Sequence, residues 1–211
     1  MSGFFIALEG TDGSGKTTVL EGLRGRFKSE GLEVLYTREP GGTAISEQIR
    51  EILLSPKNRA MVPQTEALLY AASRAQHVAE TIRPALEAGK VVFTDRYLLS
   101  SYAYQGVARG LGIETVQQIN DLATGGLLPD LTLFLDVDPV IVLKRKAERE
   151  PQDRLEASGE RFFLDVYRGY QLAIQKMEGV QTIDAAQSPS LVVEEAWKRI
   201  QSAMKSQKGR R

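Results

Sequence analysis

Gly10-Thr11-Asp12-Gly13-Ser14-Gly15-Lys16-Thr17 sets two glycines, a lysine and a hydroxyl at the spacing G-x-x-x-x-G-K-[ST]. Glycines let a backbone turn tightly and aim several N–H groups at one anion. Lys16 adds a mobile positive charge, and Thr17 offers a hydroxyl to a magnesium ion. A helix starting here adds the positive end of its dipole. An apolar run, Phe4 to Leu8, precedes the loop, and a helical pattern starts at Thr17. A glycine-rich surface turn ending in a solvated lysine would not need that frame. The stretch from Gly10 to Thr18 therefore implies a bound nucleoside triphosphate with Mg²⁺.

Further clusters could complete a reaction. Thr37-Arg38-Glu39-Pro40-Gly41-Gly42-Thr43 follows a second strand-like run. There Arg38 could reach a phosphate, although an exposed ion pair in a loop would use the same residues. Asp95-Arg96-Tyr97 ends a third run, where the Asp95 carboxylate could hold magnesium through water and Arg96 could pair with phosphate. Ser101, Tyr104 and Gln105 lie in a stretch of hydroxyls, rings and an amide, which suits a base-and-sugar pocket or plain helix packing. Tyr70 and Arg74 are spaced i, i+4 on one helix. A ring that packs on a base beside a guanidinium that reads its edge would use that spacing, as would a surface aromatic–arginine pair.

The elements that must position these residues follow from periodicity. β-rich apolar runs recur at Phe4 to Leu8, Glu33 to Thr37, Val91 to Thr94, Leu131 to Val137 and Val180 to Ile183. Helical spacing fills the intervals: Leu20, Leu23 and Phe27; Ile45, Ile49, Ile52 and Leu53; and a long stretch from about Thr65 to Leu86, in which Pro84 opens a new turn. A short helix should follow Pro139, another carries Phe163, Val166 and Tyr170, and Ser188-Pro189 starts the last. Strand and helix in alternation predict right-handed crossovers and a parallel sheet covered on both faces. Residues 145–161, charged and interrupted by Pro151 and Gly159, form the expected mobile flap.

Composition excludes other classes. The 211 residues suit one domain, and 27 basic against 27 acidic side chains give no global field for nucleic acid or membrane. Without cysteine there is no disulfide or thiolate chemistry, and one histidine cannot build a His cluster. That residue, His77, is expected on a helix surface. The N-terminal apolar run ends at Glu9, unlike a secretory signal, and no stretch is long enough to span a bilayer. A cytoplasmic location is expected.

TREPGGT from Thr37, DRYLLSSYAYQG from Asp95, PDLTLFLD from Pro129 and DRLE from Asp153, in order behind the phosphate loop, resemble bacterial thymidylate kinase over nearly the whole chain. The resemblance implies an α/β P-loop fold of the nucleoside monophosphate kinase type, with a five-stranded parallel sheet and a small lid. It implies transfer from ATP to dTMP with Mg²⁺ in a homodimer. Gly10, Thr11, Asp12, Gly13, Ser14, Gly15, Lys16, Thr17 and Thr18 would hold ATP, and Thr17 and Asp95 the metal. Asp12 would contact the dTMP sugar, Tyr70 the thymine face, Arg74 its edge, and Arg38, Arg96, Ser101, Tyr104 and Gln105 the rest of the nucleotide. Lys16, Arg96 and Asp12 would be catalytic.

One departure divides that family. Some members carry an arginine after the loop's acid, where this chain has Gly13. The bacterial-like type draws the charge from the flap, which here holds Arg145, Lys146, Arg149 and Arg154. Arg149 is the expected catalytic cation, with Arg154 the second choice or a brace for the flap. Another nucleotide or deoxynucleoside kinase on the same fold is the alternative. A regulatory GTPase would need an N-K-x-D motif that is absent, and a partition-type ATPase an early lysine where Thr11-Asp12-Gly13 stands.

Overall fold

A computed structural model describes residues 3–146 and 153–209. Five strands form one parallel sheet: β1 Phe4–Glu9, β2 Val34–Arg38, β3 Val91–Asp95, β4 Leu131–Asp136 and β5 Val180–Asp184, in the order β2-β3-β1-β4-β5. All five lie where the apolar runs predict them. β1 at the centre is buried at every position, while the edge strands β2 and β5 are half exposed. A central parallel strand has helices on both faces, so it reads as continuous apolar sequence.

Side chains of β1 alternate between two cores. Phe4, Ile6 and Leu8 join Val19, Leu23 and Phe27 of α1 (Lys16–Ser29) and Trp197 and Ile200 of α9 (Pro189–Gly209). Trp197 meets Phe27 edge-on, ring centroids 5.1 Å apart. Phe5 and Ala7 face the other way, toward Val78, Ile82, Tyr102 and Tyr170. That second layer holds α2 (Ala44–Leu54) packed on α3 (Pro63–His77), with α6 (Ile113–Thr124) against α3. α3 continues through a π turn, Val78–Ile82, into α4 (Arg83–Glu87), and the Arg83 N–H reaches back to Val78 O. Pro84 has no N–H to give to an i−4 carbonyl, so a slipped register there costs little.

Parallel register brings all strand ends to one edge. Leu8 and Arg38 both pair with Asp95, so the turns after β1, β2 and β3 emerge side by side. After β3 come α5 (Leu98–Ser101) and a π turn, Tyr102–Ala108; after β4 comes α7 (Pro139–Lys146). α8 (Gly159–Ile174) then packs closely on the π turn. Within the predicted flap, residues 145 and 146 end α7 and residues 159–161 open α8, whereas residues 147–152 lie outside the described residues. Periodicity passed over α6 because its buried face mixes Ile113 and Val116 with Asn120 and Thr124. Among the described residues no helix is long and apolar enough to cross a membrane.

Candidate active site

The phosphate loop leaves β1 at Glu9 and enters α1 through Gly15, whose φ of 95° is the left-handed conformation that favours glycine. Among the described residues no side chain caps the start of α1, so its first N–H groups suit an anion. Lys16 is buried and folds back, with Nζ donating to the carbonyls of Gly10 and Thr11 at 3.0 Å each. Burial, and next the nearby Arg96 charge, lower its pKa to about 8. The buried Ser14 Oγ has no hydrogen-bond partner among the described residues.

Arg96 is the one non-glycine described residue with positive φ, at 72°. Such a conformation costs energy and persists where the surroundings over-determine it. Here they do. Its N–H donates to Leu8 O at 2.9 Å, and its carbonyl accepts from Thr94 Oγ1 at 3.0 Å. The guanidinium then reaches Asp12 Oδ1 at 2.5 Å, Gly10 O at 2.8 Å, Ser100 Oγ at 3.1 Å and Tyr170 Oη at 2.8 Å. Tyr104 donates to the other Asp12 oxygen at 3.1 Å.

Two members of this network escaped sequence reading. Glu9 is fully buried and accepts from the N–H groups of Tyr97 and Ser100 at 2.8 and 3.2 Å, and from Ser100 Oγ at 2.5 Å. Burial raises its pKa. A carboxylate ending a wholly apolar strand was the available signal. Tyr170, read only as an apolar mark on α8, lays its hydroxyl beside Arg96 and Ser100.

Asp95 tests the fit of a magnesium ion. Its Oδ1 is buried and has no hydrogen-bond partner among the described residues, which is the donor state that a hard cation requires. Thr17 lines the same cleft, so the oxygens present suit Mg²⁺.

α3 contributes Tyr70 and Arg74 to the same cleft. Arg74 is 2 % exposed and held by Glu39, Ser101, Asn120 and the Tyr97 carbonyl. Tyr70, one turn earlier, lines the cleft half-buried. Gln105 lines the cleft too and donates to Glu66 Oε1 at 2.9 Å. Buried Glu66 also takes Arg109 at 3.2 Å and Arg154 at 2.6 Å. Arg154 donates further to Leu53 O, and its N–H to Leu54 O, so the flap's second-choice cation is held as a brace. Arg38 forms the loop ion pair, reaching Glu47 Oε2 at 2.9 Å, while still lining the cleft. Arg50, which the sequence reading did not single out, lines it from α2.

The result is one cleft of about 670 Å³. Asp12, Gly13, Gly15, Lys16, Thr17 and Thr18 of the phosphate loop line it together with Arg38, Tyr70, Arg74, Asp95, Arg96, Ser101, Tyr104 and Gln105. Gly10, Thr11 and Ser14 are buried beneath the loop and do not line it. Arg149 lies outside the described residues. One expectation is corrected: His77 is fully buried, not on a helix surface. Its position follows Tyr70 and Arg74 at i+7 and i+3, on the polar face that α3 turns to Glu39 and Thr37. Periodicity reads a polar face as solvent, which misleads where that face meets buried polar partners.

A family model for thymidylate kinases matches residues 8–196, a span that takes in every cleft residue named above. Similar curated proteins, each named thymidylate kinase, include one from Finegoldia magna, 51 % identical over 87 % of this chain and 91 % of its own. One from Lactobacillus delbrueckii subsp. bulgaricus is 50 % identical over 96 % of this chain and 97 % of its own. One from Bacillus velezensis is 46 % identical over 97 % and 98 %. With phosphate loop, strand-end arginine and α3 pocket joined in one cleft and matched along this whole span, the chain belongs to the thymidylate kinase family.

Proposed function

We propose that this protein transfers the γ-phosphoryl group of ATP to dTMP, giving dTDP and ADP. The observation that carries this reading is a single cleft lined both by a phosphate-binding loop and by Tyr70 with Arg74. Arg96 lines the same cleft and is anchored to the loop at Gly10 and Asp12, where donor and acceptor phosphates would meet.

The reaction needs no strong base, because the attacking dTMP phosphate oxygen is already ionised at neutral pH. Catalysis is then alignment and charge stabilisation in a water-poor site. Arg96 is oriented in advance by its four protein contacts. Lys16, held by the carbonyls of Gly10 and Thr11, can exchange them for phosphate oxygens. Asp12 faces the acceptor sugar, with Tyr104 fixing its carboxylate. Thr17 and Asp95 would hold Mg²⁺, which would screen the phosphate charges. Arg149 supplies the remaining charge to the transferring group. Activity belongs in the cytoplasm, where ATP and deoxynucleotides are available.

ADP release measured with ATP–Mg²⁺ and each of dTMP, dUMP, dCMP, dGMP and dAMP tests the reading. dTMP should be preferred and dUMP a poorer substrate, since one methyl group in an apolar pocket is worth only about 1–3 kcal/mol. A preference for dCMP or dGMP would overturn the assignment of the α3 pocket.

A further inference from the structure

His77 is held at both ring nitrogens. Nδ1 lies 3.0 Å from Glu39 Oε1, and Nε2 lies 2.7 Å from Thr37 Oγ1. Glu39 uses its second oxygen for Arg74 Nε, at 2.7 Å. One buried carboxylate is thus shared between the imidazole and the guanidinium. A carboxylate only accepts, so Nδ1 carries a proton. The turn before α2 is shaped around the ring: a Cβ on Gly42, at φ 91°, would sit 2.6 Å from it.

Arg74 has five N–H donors. Nε goes to Glu39, the two on one terminal nitrogen go to Ser101 Oγ and Asn120 Oδ1, and one on the other nitrogen goes to the Tyr97 carbonyl. That leaves a single N–H without a protein acceptor among the described residues, on a group that lines the cleft.

We propose that His77, acting through Glu39, fixes the Arg74 guanidinium so that one N–H alone meets the base, which makes His77 a positioning residue for base selection. The inference rests on the reading of this cleft as the dTMP site. A fixed donor is met by a carbonyl of thymine or uracil. The exocyclic amine of cytosine would bring N–H against N–H, a mismatch that a freely swinging guanidinium could avoid. Selection against cytosine therefore depends on the side chains behind Arg74 as well as on Arg74.

The test has a spectroscopic and a kinetic arm. The chain has one histidine, so ¹⁵N-histidine labelling reports His77 alone. In the intact wild type Nδ1 should be protonated, and its resonance should move on addition of dTMP. An unprotonated Nδ1, or a signal indifferent to dTMP, overturns the proposal without requiring any variant to fold. In the kinetic arm, His77→Leu should raise KM for dTMP and lower the ratio of kcat/KM for dTMP over dCMP by about tenfold, with most of the effect in KM. His77→Asn, which can return an N–H donor to Glu39, should restore most of that ratio. A folded His77→Leu protein with the wild-type ratio overturns the proposal. Wild-type turnover of dTMP is a separate readout: its absence defeats the proposed activity, whereas an unchanged ratio defeats only the role of His77.

Discussion

Glu9 has a test of its own at the scale of one residue. Burial holds its pKa above the ordinary 4.5. As pH rises past that ordinary value, the unfolded chain releases this proton before the folded chain does. Stability from this group is therefore fully present below pH 4.5 and is lost as pH climbs through the folded value. Glu9→Gln removes that loss while keeping an acceptor for the Tyr97 and Ser100 N–H groups. Denaturant unfolding should show the variant gaining on the wild type as pH rises above 4.5. A difference independent of pH would reject the account. The same residue shows what sequence conceals: Glu9 is visible as a carboxylate, but its partners come from 88 to 161 positions away. His77 was misjudged for the same reason, since nothing along the chain announces Glu39 and Thr37 as its neighbours. The places of Lys16, Asp95 and Arg96 in the cleft were legible because a local motif and a strand end set them.

Elements were easier to read than partners. Five strands announce themselves because a buried parallel strand is apolar at almost every position. α6 was silent because Asn120 and Thr124 occupy its inner face. At this scale two roles proposed for the flap can be separated by mutation. Arg154 is 6 % exposed and pairs with the buried Glu66. Arg154→Ala should therefore lower stability toward the low end of the roughly 3–5 kcal/mol seen for breaking buried pairs, because Arg109 still faces Glu66. Arg149→Ala should lower kcat about a hundredfold or more, with KM for dTMP little altered. Thermal melts and steady-state kinetics on both variants decide. An Arg149→Ala enzyme with normal kcat would move the charge to another flap cation.

For the whole molecule, the strand order places β1 between β3 and β4, so the chain leaves the sheet centre in opposite directions. Crevices form at such switch points, at the carboxyl ends of the strands, which is where the phosphate loop sits. The neighbouring helices α2, α3 and α6 leave Ile45, Ile52, Leu68 and Leu122 exposed, the last at 88 %. Apolar side chains of this size are what the second copy in the homodimer implied by the family resemblance would cover. Sedimentation equilibrium should give twice the chain mass for the wild type, and Leu122→Asp should shift the protein toward monomer. A monomeric wild type would refute the assembly.

The edge-on contact of Trp197 with Phe27 has a practical consequence for optical work on this protein. It is the chain's sole tryptophan, so intrinsic indole emission has a single source. Phe27 stands eleven residues along α1 from Lys16, about 16 Å at the helical rise. The fluorophore is thus packed under the sheet on the side away from Tyr70 and Arg74. Its quantum yield will follow loss of the α1–α9 packing on denaturation and stay nearly constant during nucleotide titrations, so affinities must be read with a fluorescent nucleotide or by calorimetry.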